Sequence, residues 1–256
     1  MAKRARKRHV QQEIRFPDKN GQWRGGKRAG AGRPAKGPRS SERHERRARF
    51  RASEPLHVVL RAAAAVGRLR KRHIYMALRD AMITTFPRED FRIVHISIQA
   101  NHVHLLVEAN DYMALARGMQ GFQISAAKHI NAVISEHTKQ TRKGSVFPDR
   151  YHAEVITSRR HARHSLAYVL NNWRHHGEHR APIARGWKID PFASGDSFDG
   201  WRELEDSPVL WKTRDTYKAM PVWRPKTWLL REGWRMHGLI GATEMPGPKP
   251  TGERRR

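Results

Sequence analysis

Two histidines separated by one residue, His102 and His104, interrupt the apolar stretch HISIQANHVHLLVEAND over residues 95–111. Side chains alternate between the two faces of a strand, so these imidazoles point the same way while Val103 points to the other face. Their Cα atoms would lie roughly 6.5–7 Å apart, which lets both rings reach one ion. The pair is either a metal site or two hydrogen-bonded histidines on a half-exposed sheet, because burying two imidazoles without partners is costly. The spacing favours neither.

The charge and the cysteine count narrow the chemistry. In 256 residues, 51 Lys and Arg against 24 Asp and Glu give a net charge of +27, which attracts polyanions such as nucleic-acid backbones. The absence of cysteine excludes disulfides, thiolate nucleophiles and zinc held by sulfur. No apolar run approaches the roughly 20 residues of a bilayer span, and the first residues lack the apolar core of a signal peptide. We expect a soluble, cytoplasmic and nucleoid-associated protein.

The elements that must position the histidines follow from apolar periodicity and capping residues. Strands are predicted over 55–63, 91–99, 102–109 and 151–157, and helices over 72–86, 111–137 and 158–177. Asp111 is the expected cap of the second helix, and Gly177 is expected to stop the third. The first six elements match the split βαβ arrangement. The predicted fold class is therefore α+β, a ferredoxin-like sheet with helices on one face.

Three segments are expected along the chain. Residues 1–53 hold 18 Lys and Arg against 4 Asp and Glu, a net of +14, and are predicted to form a basic flexible arm. Within the arm, RGGKRAGAGRPAKGPR is similar to an AT-hook, which inserts arginine into a narrow minor groove. A solvated basic linker is the alternative, and we prefer it slightly. Residues 54–180 are predicted to be the globular domain.

Residues 181–256 are predicted to form a Trp- and Pro-rich C-terminal extension that is partly ordered. Its first part, GWKIDPFASGDSFDGW, is typical of an irregular ordered loop. The range 224–240 is predicted to be a short amphipathic helix, with Trp228, Leu229 and Trp234 as its packing residues.

Four stretches, in this order along the chain, resemble a single family. They are NHVHLLVEA, the helical MQGFQISAAKHIN, GSVFPDRYHAEVI and LAYVLNN. Together they are similar to the HUH-type single-tyrosine transposases of insertion sequences, and within these to the REP-associated tyrosine transposases. HUH stands for His, a hydrophobic residue and His. The triplet alone is a weak motif, whereas the four stretches in order, over roughly residues 54–180, are a specific one.

The resemblance implies a role for each site residue. Tyr168 corresponds to the catalytic nucleophile, and His102, His104 and Asn172 correspond to the metal ligands. Asn172 lies at i+4 from the tyrosine, on the same helix face about one turn on, and Asn171 at i+3 is the less favoured substitute.

Other readings of these residues stay open. Tyr168 read alone would be a packing residue, and Tyr151 is the second candidate nucleophile, while Tyr217 lacks a matching context. Glu108 and Asp111 are interpreted as structural or capping residues. The remaining histidines near the tyrosine helix are interpreted as exposed surface rather than a second metal site: His161, His164, His175, His176 and His179.

The chemistry implied by the resemblance is phosphodiester cleavage by tyrosine. A divalent ion, Mg²⁺ or Mn²⁺, polarises the scissile phosphate, and the donor set suits Mn²⁺ better. Tyrosine has a pKa of about 10 in water, and a nearby cation would favour its phenolate. In-line attack by Tyr168 would form a 5′-phosphotyrosine bond and free a 3′-OH. The bond energy is kept in that intermediate, so strand transfer needs no ATP.

Basic residues around this site are candidates for DNA contact. Each alone is more commonly a solvated charge, but their clustering favours contact with phosphates, and a helix start also attracts anions. They are Lys128 on the long helix, Arg142, Lys143 and Arg150 before the last strand, and Arg159 and Arg160 at the start of the tyrosine helix.

The predicted function is that of a DNA transposase, an HUH-class endonuclease that nicks single-stranded DNA at hairpins or palindromic repeats. The expected partner is DNA, with no membrane, and the protein acts as a monomer or homodimer. The first alternative is a non-catalytic nucleic-acid-binding protein that keeps this fold, which explains the charge equally well. The second, a hydrolytic zinc enzyme, lacks a third His or carboxylate at a recognisable spacing.

Overall fold

The computed structural model describes residues 49–207 and 216–244. The AT-hook-like stretch, most of the predicted basic arm and the charged C-terminal end lie outside the described residues. No helix within the described ranges is long and apolar enough to cross a membrane.

The described chain forms the predicted order of elements. They are β1 (Leu56–Arg61), α1 (Arg72–Ile83), β2 (Phe91–Ile98), β3 (His102–Ala109), α2 (Tyr112–Thr138), β4 (His152–Val155) and α3 (Arg159–His175). The four strands form one antiparallel sheet in the order β2-β3-β1-β4. This is the split βαβ order, so the predicted α+β, ferredoxin-like class is confirmed.

The sheet is covered on both faces. Alternate residues of β1, among them Leu56 and Val58, pack with α1 and α2 in one apolar core. On the other face, Val94 and Leu106 pack against α3 in a second core. The prediction of helices on one face therefore describes α1 and α2, and α3 adds a layer on the other side. Burial on both sides explains why β2 and β3 read as nearly continuous apolar runs.

Short-range contacts set where the helices begin and end. Asp111 caps α2, its carboxylate accepting a hydrogen bond from Ala114 N at 2.8 Å, as predicted. Ser158 caps α3 through its hydroxyl, which accepts from His161 N at 3.1 Å. Gly177 has a φ of +70° just after α3, a conformation that suits glycine, and the helix ends there as predicted.

The prediction of a single helix over 224–240 is wrong. The structure has one turn of α-helix, α4 (Trp228–Arg231), followed by a 3₁₀ turn over Gly233–His237. Gly233 packs so closely on the indole of Trp228 that a Cβ there would lie 2.7 Å from the ring, and glycine favours a break in the helix. Trp234 is buried as predicted, whereas the side chain of Trp228 is 48% exposed.

The described part of the extension is fixed to the domain by hydrogen bonds of its backbone and by an ion pair. Glu108 pairs with Arg92 at 3.2 Å and accepts hydrogen bonds from the amides of Lys226 and Thr227 at 2.8–3.1 Å. The structural role expected for Glu108 is thus confirmed. Further along, Arg163 of α3 makes a two-pronged pair with Glu244, at 2.7 and 3.0 Å.

Gly118 lets α2 lie close to the sheet, and this contact predicts a stability effect. A Cβ at Gly118 would overlap the ring of Phe91, which is fully buried and has no room to move. We expect Gly118→Ala to lower the free energy of unfolding by about 1–3 kcal/mol. On the same helix, a Cβ at Gly121 meets nothing within 4 Å, so Gly121→Ala should raise it by up to about 1 kcal/mol. Urea unfolding of both variants measures the two changes in the free energy of unfolding. Equal changes would contradict the close packing of Gly118 on Phe91.

Candidate active site

The two histidines of β3 share the face that α3 covers. The ring centroids of His102 and His104 are 4.7 Å apart, and the side chain of His104 is buried. Tyr168, half-buried on α3, lies edge-on to His104 with a centroid distance of 5.3 Å. The structure therefore brings together, within one chain, the candidate nucleophile and the two candidate imidazole ligands.

A third histidine, His57 of β1, belongs to the same cluster. Its Nε2 is 2.9 Å from Nδ1 of His104, and the two ring planes are nearly parallel, with centroids 5.1 Å apart. Its ring also lies 5.7 Å from that of Tyr168, edge-on. His57 was not among the site residues predicted from the sequence. The signal was available, because β1 neighbours β3 in the ferredoxin-like order and alternation places His57 on the face of His102 and His104.

One face of α3 continues the site. Tyr168, Asn172 and His176 recur every four residues and so lie one above the other along the helix. The ring of His176 lies 5.2 Å from His102, and His175 lies 6.3 Å from Tyr168. Both histidines are exposed, as interpreted from the sequence, but they also border the site.

The two asparagines of α3 have different surroundings. Asn171 donates from Nδ2 to the carbonyl of Gly241 at 2.9 Å, so it holds the C-terminal extension. Asn172 is fully buried, and neither atom of its amide has a hydrogen-bond partner among the described residues. A buried amide without partners is costly unless another group completes it. This contrast favours Asn172 over Asn171 as a ligand.

Burial controls the protonation of the site. It lowers the pKa of His104 to about 2, with the neighbouring His57 and His102 adding to the effect, and it lowers the pKa values of His57 and His102 to about 4. All three imidazoles are therefore neutral at pH 7 and keep a lone pair. Burial raises the pKa of Tyr168 above its ordinary value, so the free protein carries the phenol.

The donor atoms of this site fit a divalent cation. Nε2 of His104 is buried without a hydrogen-bond partner among the described residues, as is the amide of Asn172. Nδ1 of His102 is 2.7 Å from Oδ1 of Asn101, which leaves its Nε2 available. Two imidazoles and an amide suit Mn²⁺ well. The described chain holds no group of three or more His, Asp or Glu arranged to bind a metal.

The competing tyrosines lie elsewhere. Tyr151 is 6% exposed and packs in the core beneath α1 and α2, on the opposite face of the sheet from the histidine pair. Tyr217 lies beside Tyr75, with the two hydroxyl oxygens 3.3 Å apart. Among these tyrosines, Tyr168 alone contacts the histidine cluster.

The basic residues predicted to touch DNA are spread over the surface. Arg159 and Arg160 are exposed in the first turn of α3, and Arg159 also contacts the sulfur of Met236 at 2.9 Å. Lys143 and Arg150 are exposed in the connection between α2 and β4. In the same connection, Arg142 donates hydrogen bonds to Asn131 and to the carbonyl of Ser145, so it also braces this loop.

Lys128 does not join the histidine cluster. It is exposed on α2, and α2 covers the face of the sheet opposite to His102 and His104. The expectation that Lys128 lies around the site is therefore wrong. Arg163, by contrast, lies on α3, the helix that carries Tyr168. Its guanidinium is already paired with Glu244.

A buried histidine outside this cluster predicts how stability depends on pH. His95 is hydrogen-bonded to Ser194 at 3.1 Å, and burial lowers its pKa to about 4. The unfolded chain takes up a proton near pH 6.5 while the folded chain does not, so stability falls as the pH drops from 6.5 towards 4. His95 alone should cost about 2 kcal/mol at pH 5. Urea unfolding in EDTA measures the free energy of unfolding at pH 7.5 and 5.0. Between these pH values, His95→Asn should lose about 2 kcal/mol less than the unmodified protein. Equal losses in the two proteins would contradict this assignment.

The part of the chain that carries the site is similar to a known family. Residues 53–172 match the model of the IS200-like transposases. The matched part of the chain carries the sheet, both histidines, Tyr168 and Asn172.

Two solved structures are similar to the chain. One is a REP-associated tyrosine transposase bound to a REP hairpin, with 16% identity, 72% of this chain and 99% of that chain covered, and a TM-score of 0.48. The other is a proposed transposase from Deinococcus radiodurans, with 14% identity, 45% and 85% covered, and a TM-score of 0.32. No curated protein matches the chain.

Proposed function

We propose that the protein nicks single-stranded DNA and transfers the strand through a covalent 5′-phosphotyrosine intermediate on Tyr168. One observation carries the proposal: the ring of Tyr168 lies edge-on to His104, whose buried Nε2 has no hydrogen-bond partner among the described residues. A nucleophile and an unsatisfied ligand thus meet on one face of a rigid sheet. The match of residues 53–172 to the model of the IS200-like transposases supports this class of reaction.

His102, His104 and Asn172 are the residues that would hold a divalent ion, Mn²⁺ or Mg²⁺. When bound, such an ion polarises the scissile phosphate and stabilises the charge that develops on it. The protein's own contribution is preorganisation. Burial keeps the imidazoles neutral at pH 7, and β3 and α3 hold the ligands and the phenol on rigid elements.

The proposed cleavage step balances without an external energy source. The Oη atom of Tyr168 attacks phosphorus, the Oη–P bond forms as the P–O3′ bond breaks, the phenol loses its proton, and the released oxygen gains one as a 3′-OH. In strand transfer, a 3′-OH attacks the phosphotyrosine, which restores a phosphodiester and the phenol. The raised pKa of Tyr168 keeps the free protein in the less nucleophilic phenol form.

The proposed substrate is a hairpin or palindromic repeat with a single-stranded flank. The net charge of +27 supports a nucleic-acid partner, and the exposed Arg159 and Arg160 lie at the start of the helix that carries Tyr168. The hairpin itself is proposed from the resemblance of the four sequence stretches to REP-associated tyrosine transposases. Since Tyr168 reaches histidines of its own chain, the proposed site is complete in a monomer and equally in each half of a homodimer.

The experiment uses hairpin oligonucleotides with a single-stranded flank, labelled at either end and incubated with protein and Mn²⁺. A 5′-phosphotyrosine joins the protein to the 3′ fragment, so the 3′ label should migrate with the protein on a denaturing gel. The 5′ label should appear in a shortened product, and EDTA should suppress both signals. If the protein shifts the oligonucleotide on a native gel but neither denaturing signal forms, the protein is a non-catalytic DNA-binding protein.

A further inference from the structure

Both histidines of the pair are held by a partner on the same ring atom. Nδ1 of His102 lies 2.7 Å from Oδ1 of Asn101, and Nδ1 of His104 lies 2.9 Å from Nε2 of His57. Histidines that bind a metal through one nitrogen almost always use the other to donate a hydrogen bond, which fixes the tautomer and the orientation of the ring. The contact between His57 and His104 adds to this arrangement a third imidazole, which is not one of the proposed ligands.

The proton between His57 and His104 can sit in two ways. If Nδ1 of His104 carries it and donates to Nε2 of His57, then Nε2 of His104 keeps its lone pair. If His57 donates instead, the proton of neutral His104 sits on Nε2 and blocks a ligand bond there. That Nε2 is buried and has no acceptor among the described residues, so the second arrangement would bury an unsatisfied N–H. The first arrangement is therefore favoured.

We propose that His57 is a positioning residue of the metal site, which accepts the Nδ1 proton of His104 and so presents Nε2 of His104 to the ion. This inference rests on the proposed function, because it concerns the same site. The geometry suits the role: the two ring planes lie within 21° of parallel with the two nitrogens 2.9 Å apart, and β1 and β3 are hydrogen-bonded neighbours in the middle of the sheet. The position of His57 is thus set by backbone pairing, not by a mobile loop.

The test compares two replacements of similar size and flexibility. Glutamine can place an amide oxygen where Nε2 of His57 lies and accept the same hydrogen bond, whereas methionine cannot. We expect His57→Met to weaken Mn²⁺ binding by about 10–100-fold and His57→Gln to bind within a few-fold of the unmodified protein. The matched control is His95→Met. It removes another buried imidazole, which is hydrogen-bonded to Ser194 and does not contact His102 or His104. This variant should leave the Mn²⁺ affinity unchanged.

The affinity is measured from the electron paramagnetic resonance signal of free Mn²⁺ during titration, without DNA or turnover. If the unmodified protein binds Mn²⁺ and His57→Met binds it equally tightly, the positioning role is overturned and the proposed function stands. If the unmodified protein binds no Mn²⁺, the proposed metal site falls and this inference falls with it. Equal losses in His57→Met and His57→Gln also overturn the role, because size and not hydrogen bonding would then matter.

A second measurement on the unmodified, metal-free protein guards against a variant that fails to fold. Two-bond proton–nitrogen correlation spectra of ¹⁵N-histidine distinguish the two neutral tautomers of an imidazole. His104 should carry its proton on Nδ1 at neutral pH. A proton on Nε2 of His104 would overturn the proposal whatever the variants do.

Discussion

Replacing Tyr168 with phenylalanine is expected to abolish the covalent protein–DNA adduct, lowering its rate of formation by at least about a thousandfold. The change removes the attacking oxygen and leaves the ring that lies against His104 and His57. Packing and DNA binding should therefore stay within a few-fold of the unmodified protein. Adduct formation is measured on a denaturing gel with the 3′-labelled hairpin, and binding on a native gel in EDTA.

The matched control for this variant is Tyr151→Phe. Tyr151 was the second candidate from the sequence, but it lies in the core on the opposite face of the sheet. Its replacement should leave adduct formation unchanged. An adduct that survives Tyr168→Phe and disappears in Tyr151→Phe would contradict the assignment of the nucleophile.

Replacing His104 with alanine has the second largest expected effect. It removes both the buried Nε2 that lacks a partner and the ring that lies against Tyr168. We expect Mn²⁺ binding to fall below detection and adduct formation to drop by at least about a hundredfold, since phosphate activation is lost. DNA binding in EDTA should persist, because it depends on surface cations.

His164→Ala is the control for the loss of a histidine. His164 is exposed on α3, the helix that carries Tyr168, and its replacement should change neither Mn²⁺ affinity nor adduct formation. Circular dichroism of both variants separates a lost ligand from a lost fold. Full adduct formation by a folded His104→Ala protein would show that the histidine pair does not activate the phosphate.

The C-terminal extension contributes to the site by holding its helix. Asn171 donates to the carbonyl of Gly241, and Arg174 donates to the carbonyl of Ala242 at 2.8 Å. Arg163 of the same helix is paired with Glu244. The extension therefore fixes the position of α3, and with it the direction in which Tyr168 points. Precise placement of this kind matters because catalytic groups must be held close to their productive geometry.

The strands and long helices were predictable because their signals are local. Apolar periodicity and the caps at Asp111 and Gly177 fix elements within a few residues of their observed bounds. The face shared by His102 and His104 follows from strand alternation alone. The order of the elements then identifies the sheet.

What the sequence left open depends on contacts between distant segments. His57 joins the site because β1 pairs with β3, and His104 lies 47 residues further along the chain. Finding it from the sequence therefore requires the strand order in addition to strand alternation. The choice between Asn171 and Asn172 depends on Gly241, which the extension brings back to α3. Lys128 was predicted to lie around the site but lies on the other face of the sheet. The apolar pattern of a helix does not indicate which face of the sheet the helix covers. The helix at 224–240 failed because packing around Gly233 decides the local backbone.

The most direct test asks which amino acid becomes joined to the DNA. The five tyrosines fall in five different tryptic peptides, and the peptide HSLAYVLNNWR, residues 164–174, contains only Tyr168. After reaction with the hairpin in Mn²⁺, nuclease trimming and trypsin digestion, mass spectrometry should find the added nucleotide on that peptide. The same mass on YHAEVITSR, residues 151–159, or on no tyrosine peptide of a protein that binds the hairpin, would contradict a phenol attacking beside the histidine pair.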